Sequence, residues 1–316
     1  MLLLAVACDT MNSRVEKAVD SQAIMQSSIQ HQSSHSHTTQ WEYLSAKDLD
    51  QTVPGCIDSI GLLSGIANTI MQLTYPGVGH GVMESPVQSG SVIHHPFKRA
   101  RTTLTYLSVA MHGTTEEKLA YRRAINKVHA QVVSTEKSPM KYRALDPDLQ
   151  LWVAACLFWG YFDVYEKFRG PMSPEDQETF YQLAKPLGTT LQVKEDMWPD
   201  TIEDFWCYWN SNLEKLELPD DVRIWLGQLV NVSFLGSTLN ALLGNFATLM
   251  TTGFLHPHVR EQMRLPWGDK EKKSFNRHIK IIGALNNNLP RVIRQLPGNL
   301  FLWDFRRRLK KGMPLN

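Results

Sequence analysis

His95-Pro96-Phe97-Lys98-Arg99-Ala100-Arg101-Thr102-Thr103 opens, and Lys127-Val128-His129-Ala130-Gln131-Val132 closes, the stretch that decides this fold. Between them, Thr114-Thr115-Glu116-Glu117 has the form of a capping box, which starts a helix by satisfying its free N–H groups. Tyr121, Ala124, Ile125, Val128 and Val132 then recur at the spacing of one helical stripe. Arg99 and Thr103 stand one turn apart on the preceding helix, and His129 lies beside the apolar stripe. Polar groups on apolar helix faces are costly unless something pairs with them. They therefore either satisfy one another or line a pocket.

Helix signals continue outward in both directions. A helix is expected from near Ile66 to near Glu84. Asp146-Pro147 gives an N-cap followed by Pro at the first helical position, and Gly170-Pro171 ends the long apolar-aromatic run that follows. Ser173-Pro174-Glu175-Asp176 starts another helix, and Thr201-Ile202-Glu203-Asp204 starts one after the break at Trp198-Pro199. Alternating runs are few and short. The fold class is all-α, a single helical-bundle domain over residues 41–316 preceded by a segment, 1–40, expected to be disordered, whose residues 21–40 are rich in Ser, Gln and His and too polar to bury a core. Within that segment, His31, His35 and His37 read as solvated linker rather than metal ligands.

Composition bounds the function. At 316 residues with 43% hydrophobic content, the chain can bury a substantial core. A formal charge of +2 gives no basic stripe for nucleic acid. Nine Trp point to large apolar pockets or a membrane boundary. Cys8, Cys56, Cys156 and Cys207 form no CxxC pair, so neither a zinc site nor a disulfide framework is expected and a reducing, intracellular compartment is. The opening Met1-Leu2-Leu3-Leu4 run is too short for a secretory signal, leaving a cytoplasmic or peripherally membrane-associated protein. Residues Ile224 to Leu255 carry no charged side chain, but their Asn, Ser and Gly residues favour two closely packed buried helices over a membrane span. The last segment, Phe301 to Lys311, mixes aromatics with five basic groups and suits either an anionic membrane surface or a solvated end with a few buried aromatics.

Candidate chemistry lies at four residues. A single His facing an apolar slot is what axial ligation of haem iron requires, which makes His129 the candidate ligand. Glu84, in Gly81-Val82-Met83-Glu84-Ser85-Pro86, would form a partly buried ion pair if it met Arg99. His80, Glu84 and His94 make a weaker, alternative set for non-haem iron.

The order of these motifs resembles a known family. Pro96, Phe97, Arg99 and Thr103 come first, then His112-Gly113, then Val128, His129, Ala130 and Val132. Tyr142, Ala144, Asp146, Pro147, Leu149, Trp152, Val153 and Ala155 follow, and Tyr165 to Ser173 continues the pattern. Together they are similar to the haem oxygenase family of the latex-clearing rubber oxygenases and of the fungal mycophenolic-acid-pathway oxygenase. The resemblance implies an all-α fold around one haem b, with His129 as proximal ligand and Arg99 and Thr103 beside the haem. It implies Glu84 as a catalytic carboxylate taking an allylic proton while dioxygen is inserted across an isoprenoid double bond. A carboxylate in an apolar pocket would suit that role, because burial favours its neutral form. This chain carries Thr102 where the rubber enzymes carry Lys. The expected substrate is an apolar unsaturated small molecule, a terpenoid or prenylated metabolite. The alternative is a non-catalytic lipid- or isoprenoid-binding, or peripheral membrane, protein of the same fold.

Overall fold

The computed structural model describes residues 52–315, all within the unit Trp41–Asn316. Expectations about residues 1–40, including Cys8 and the three His, lie outside the described residues.

The helix that organises the molecule is α5, Pro147–Arg169, and the elements on either side take their places from it. Asp146 caps its start, accepting a hydrogen bond from the Asp148 N–H at 2.9 Å, and Gly170 ends it with a left-handed φ of 92°. Its buried residues lie all round the axis, from Leu151 and Trp152 to Phe162, Val164 and Phe168, so it is enclosed on every face.

Before it in the chain come α1 (Gly65–Leu73), α2 (Pro76–Met83), α3 (Pro96–His112) and α4 (Thr115–His129). After it come α6 (Pro174–Ala184), the short α7 (Pro186–Thr189), α8 (Ile202–Lys215), α9 (Asp220–Val230) and α10 (Ser237–Phe254). The chain closes with α11 (Pro257–Gln262), α12 (Asp269–Asn287), the short α13 (Arg291–Arg294) and α14 (Leu296–Lys310). Among the described residues there is no strand, only an isolated antiparallel bridge between Val133 and Arg143. The all-α expectation holds.

The caps explain why these helices start where they do. Thr114 and Glu117 form the reciprocal capping box, with Ser173 and Thr201 accepting from the N–H of Asp176 and Asp204. One expectation fails at this level. The helix from Ile66 to Glu84 is two helices, because Pro76 has no N–H to continue α1 and instead starts α2. Gly79 lets the second pack closely: a Cβ there would meet the Leu73 carbonyl oxygen at 2.5 Å.

The core is aromatic. Trp209 of α8 lies between Trp152 and Trp159 of α5, with ring centroids at 5.3 and 5.5 Å and planes 12° apart in both pairs. Phe158, on α5, meets Phe205 edge-on at 4.8 Å and Tyr181 at 5.2 Å. These three Trp residues thus build the core instead of lining a pocket, each burying a large apolar ring against the next.

One other expectation changes. Residues 224–255 do form two helices, broken at Asn231–Gly236 where Val232 takes a left-handed φ of 52°. The first half of α10, however, is surface, with Leu242 75% exposed. No helix among the described residues is long and apolar enough to cross a membrane. The C-terminal segment is, as expected, a solvated end with buried aromatics: Arg306, Lys310 and Lys311 are exposed and Phe305 is buried. Leu302 and Phe305 are buried with Val109, Tyr121 and Ile125. Arg306 donates two bonds to Glu117, while Arg307 and Arg308 pair with Asp304.

A second tie is polar. Asp58, fully buried, accepts from Arg169 at 2.7 Å and Arg294 at 2.5 Å, both on Oδ2, joining the end of α5 to α13.

Two measurable consequences follow from this packing. Trp209→Ala should cost about 3–5 kcal/mol of unfolding free energy in urea titration, the range for deleting a buried ring. Trp303→Ala, at a ring 60% exposed, should cost under about 1 kcal/mol. The second concerns pH. Burial holds the imidazoles of His256 and His112 down from 6.5 to about 4. Between those values the unfolded chain binds more protons than the folded one, so stability falls as pH drops from about 6.5 towards 4. Urea midpoints at pH 7.5 and 5 test this, and His256→Phe should flatten the difference; an unchanged midpoint at pH 5 would contradict it.

Candidate functional site

Pro96 opens α3 at the position where a missing N–H costs nothing, and the helix carries Arg99 and Tyr106 onto a cavity of about 130 Å³. The facing wall is α2, whose Gly77 and Gly81 lie one turn apart. His129 is the last residue of α4. Beyond it the chain folds back on itself: the Ala144 N–H donates to the Val132 carbonyl at 2.9 Å, and that of Ser134 to the Tyr142 carbonyl at 3.0 Å. That reversal sets Val132, Tyr142 and Ala144 against the cavity, with Leu149 and Val153 of α5 closing it. Residues from Gln72 to Leu191 thus converge on one space.

Two groups there lack partners. His129 Nδ1 is buried with no hydrogen-bond partner. Burial, and then the nearby Arg99 charge, push its pKa down to about 4, so the ring is neutral at physiological pH and offers a nitrogen lone pair. No carboxylate pairs with Arg99 among the described residues, and burial lowers its pKa too. Tyr106 is different: its hydroxyl donates to the Leu187 carbonyl at 2.5 Å, and burial raises its pKa, so its proton is held.

The other expected site residues are placed elsewhere. Glu84 caps the C-terminus of α2 and does not meet Arg99. Its Oε2 accepts from Tyr142 Oη at 2.8 Å and Ser138 Oγ at 2.5 Å, and its Oε1 is 3.5 Å from His80 Nδ1. It is thus partly exposed beside the cavity, in a polar setting, and not inside an apolar pocket; the 132–144 turn captures it before α3 can. Tyr142 links the two, because its ring lines the cavity while its hydroxyl holds Glu84. Thr103 follows Arg99 by one turn, yet it borders a second cavity together with Asp58, Ser108 and His112. Thr102 Oγ1 donates to the Lys98 carbonyl at 3.0 Å. The non-haem set of His80, Glu84 and His94 does not assemble: no group of three or more His, Cys, Asp or Glu among the described residues could hold a metal ion. His94 is exposed, whereas His80 is buried.

The donor chemistry of the first cavity fits a b-type haem. A neutral, unpartnered imidazole suits an axial iron ligand, and an unpaired guanidinium suits a propionate. The space as it stands is nearer one aromatic ring than a porphyrin. Leu149 and Tyr142 pack on α2 at Gly77 and Gly81, 3.1 and 3.4 Å from where a Cβ would be. Sequence reading overlooked those two glycines and Tyr142's double role. The Gly77-x-x-x-Gly81 spacing is the signal that marks the small-residue face.

Fold and site together define a class: an all-α domain around a central buried helix, with a polar pair set in an apolar cavity at its flank. Residues 57–284 match the family described as ER-bound oxygenase mpaB/B′/Rubber oxygenase, catalytic domain, and the chain belongs to that family. An uncharacterised protein of Mycobacterium bovis is 44% identical over 251 residues, covering 79% of this chain and 98% of the relative. An uncharacterised protein of Mycobacterium tuberculosis matches with the same identity and coverage. No solved structure matches significantly.

Arg99 supplies a test of the cavity's purpose. Arg99 is half-buried and has no carboxylate partner, so its charge is partly screened and an apolar group of similar length removes only a small cost. Arg99→Met should therefore stabilise the ligand-free protein by no more than about 1 kcal/mol in urea titration; a loss of stability would mean that the guanidinium is structurally satisfied.

Proposed function

We propose that this chain is a haem-b-dependent oxygenase acting on an apolar unsaturated small molecule, with oxidative cleavage of a carbon–carbon double bond in a terpenoid or prenylated metabolite as the reaction that fits best. The observation that carries the reading is that the neutral imidazole of His129 and the guanidinium of Arg99, which has no carboxylate partner, line one largely apolar cavity. Membership in an oxygenase family supports the reaction class.

Bound haem would supply the oxygen chemistry that no side chain here can perform. The chain's own residues do the rest. His129 would ligate the iron through a ring nitrogen that burial keeps unprotonated. Arg99 would hold a propionate, neutralising both buried charges. Val132, Leu149 and Val153 exclude water and favour an apolar substrate. Glu84, held by the cavity-lining Tyr142, is a carboxylate that could take a proton, with Tyr142 and Ser138 fixing its Oε2 and His80 Nδ1 3.5 Å from its Oε1. Thr103 would contribute from the adjoining cavity. Peripheral membrane contact is a second proposal, favoured by Leu300 and Trp303, which are 51% and 60% exposed on α14.

The visible absorption spectrum tests the proposal. Protein expressed with haem supply should show a strong Soret band, and His129→Ala should abolish or shift it. Arg99→Met should weaken haem retention by about tenfold, the effect of losing one charged contact. A wild-type protein that stays colourless after haem titration would overturn the oxygenase reading and leave an apolar-ligand carrier in its place.

A further inference from the structure

The last three helices carry charge and exposure unlike the rest of the chain. Residues 269–311 hold twelve Lys and Arg against three Asp and Glu, a net of +9. With the whole chain at +2, everything outside this segment is net −7. The same segment leaves large apolar side chains uncovered: Leu285 is 66% exposed and Val292 73%. Proteins rarely leave clustered apolar surface in water unless it meets something.

The two kinds of residue are sorted along the helices. On α12, Lys273, Arg277, Ile281 and Leu285 follow at four-residue intervals, all exposed, while Phe275, Ile279 and Gly283 are buried opposite. That ridge begins cationic and ends apolar. On α14 the order reverses. Leu296, Leu300 and Trp303 come first and Lys310 follows on the same exposed face, with Leu302 and Phe305 buried on the other. The apolar ends are held together. Asn286 of α12 and Arg294 of α13 both donate to Asp58 Oδ2, at 3.3 and 2.5 Å, so one buried carboxylate keeps the end of α12 beside α13. Val292 and Ile293 are exposed on α13, and Leu296, Leu300 and Trp303 share one groove whose charged lining residues are Arg101 and Asp304. Exposed cations follow outward, Lys273, Arg277 and Lys280 on α12 and Lys310 and Lys311 at the end of α14. No carboxylate pairs with these five among the described residues.

That arrangement chooses the occupant. Protein interfaces are depleted in Lys, so a protein partner fits poorly. Single-stranded nucleic acid needs aromatic platforms along a basic groove, whereas this centre is aliphatic apart from Trp303. An anionic bilayer serves every part: phosphates for Lys and Arg, hydrocarbon for Leu, Val and Ile, and the boundary between them for Trp.

We infer that the outer faces of α12, α13 and α14 form a docking surface for an anionic lipid bilayer. Leu285, Val292, Leu300 and Trp303 enter below the headgroups, and Lys273, Arg277 and Lys310 meet the phosphates. This gives the membrane contact proposed above a location and a lipid class, and it does not depend on the haem reading. All four inserting residues lie outside residues 57–284, so the shared family domain does not by itself supply the surface.

Co-sedimentation of the full chain with vesicles tests it, using phosphatidylcholine alone and an equimolar mixture with phosphatidylglycerol. The mixed vesicles should bind at least tenfold more tightly, and raised salt should weaken that binding, because exposed charges are screened. Val292→Asp with Leu300→Asp should lower binding to mixed vesicles at least tenfold; both positions are exposed, so the urea midpoint should hold. Lys273→Glu with Arg277→Glu, acting through charge alone, should lower it about tenfold. Vesicles with brominated acyl chains should quench tryptophan fluorescence, and Trp303→Phe should remove most of the quenching. No vesicle binding, equal binding of neutral and mixed vesicles, binding that survives both double variants, or quenching unchanged by Trp303→Phe would each overturn the inference. So would a Val292→Asp, Leu300→Asp variant that keeps vesicle binding and instead turns a dimer into a monomer, which would make the surface an interface between copies of this chain. None of these readouts involves haem, so failure here and a colourless protein are separate results.

Discussion

The stack of Trp152, Trp209 and Trp159 is the contact on which the rest of the structure depends. It joins α8 to the middle of α5 and fixes the rotation of α5 about its own axis. With Trp152 and Trp159 committed to Trp209, Leu149 and Val153 fall on the first cavity and Leu157 and Gly160 on the second. Two cavities on opposite assignments of one helix therefore inherit their geometry from a single aromatic contact. Asp58 plays the polar counterpart at the other end of α5, where removing one partner would leave two buried guanidiniums uncompensated.

The two cavities are unequal in how their polar groups are treated. Around Asp58 charge is matched and one acceptor is left over. Around Arg99 charge is left unmatched. A half-buried cation without a carboxylate partner is mildly unfavourable for folding in itself, and the contacts of α3 with α4 and α14 offset it. Leu302 and Phe305 matter in that respect: by packing on Val109, Tyr121 and Ile125 they hold α3 and α4 together, and with them Arg99 and His129.

Much of this was readable from local chemistry. The capping box at Thr114, the Asp146-Pro147 start and the Gly170 stop act within one turn of chain, and each appears where the residues place it. The stripe through Tyr121 and Ile125 likewise put His129 on the correct side of its helix. What sequence spacing could not supply were partners distant in the chain. Glu84 and Arg99 are fifteen positions apart and seemed natural partners, but Ser138 and Tyr142, 54 and 58 positions from Glu84, reach it instead. Arg99 and Thr103 share a face by periodicity, yet a face shared to within 40° can still straddle the ridge between two cavities. The partners of the C-terminal run, Glu117 and the apolar patch that receives Phe305, likewise lie far upstream.

The composition of α2 carries a consequence of a different kind. Its sequence, Pro76-Gly77-Val78-Gly79-His80-Gly81-Val82-Met83, places three glycines in eight residues, and each costs about 1 kcal/mol relative to alanine in a helix interior. The helix persists because its neighbours hold it, not because its own backbone prefers that shape. Of all the walls around the His129 cavity it is thus the one with least intrinsic resistance to deformation. The α3 and α5 sides are rigid scaffolding; α2 is the compliant side, where the molecule can yield by bending a backbone and keep its aromatic core undisturbed.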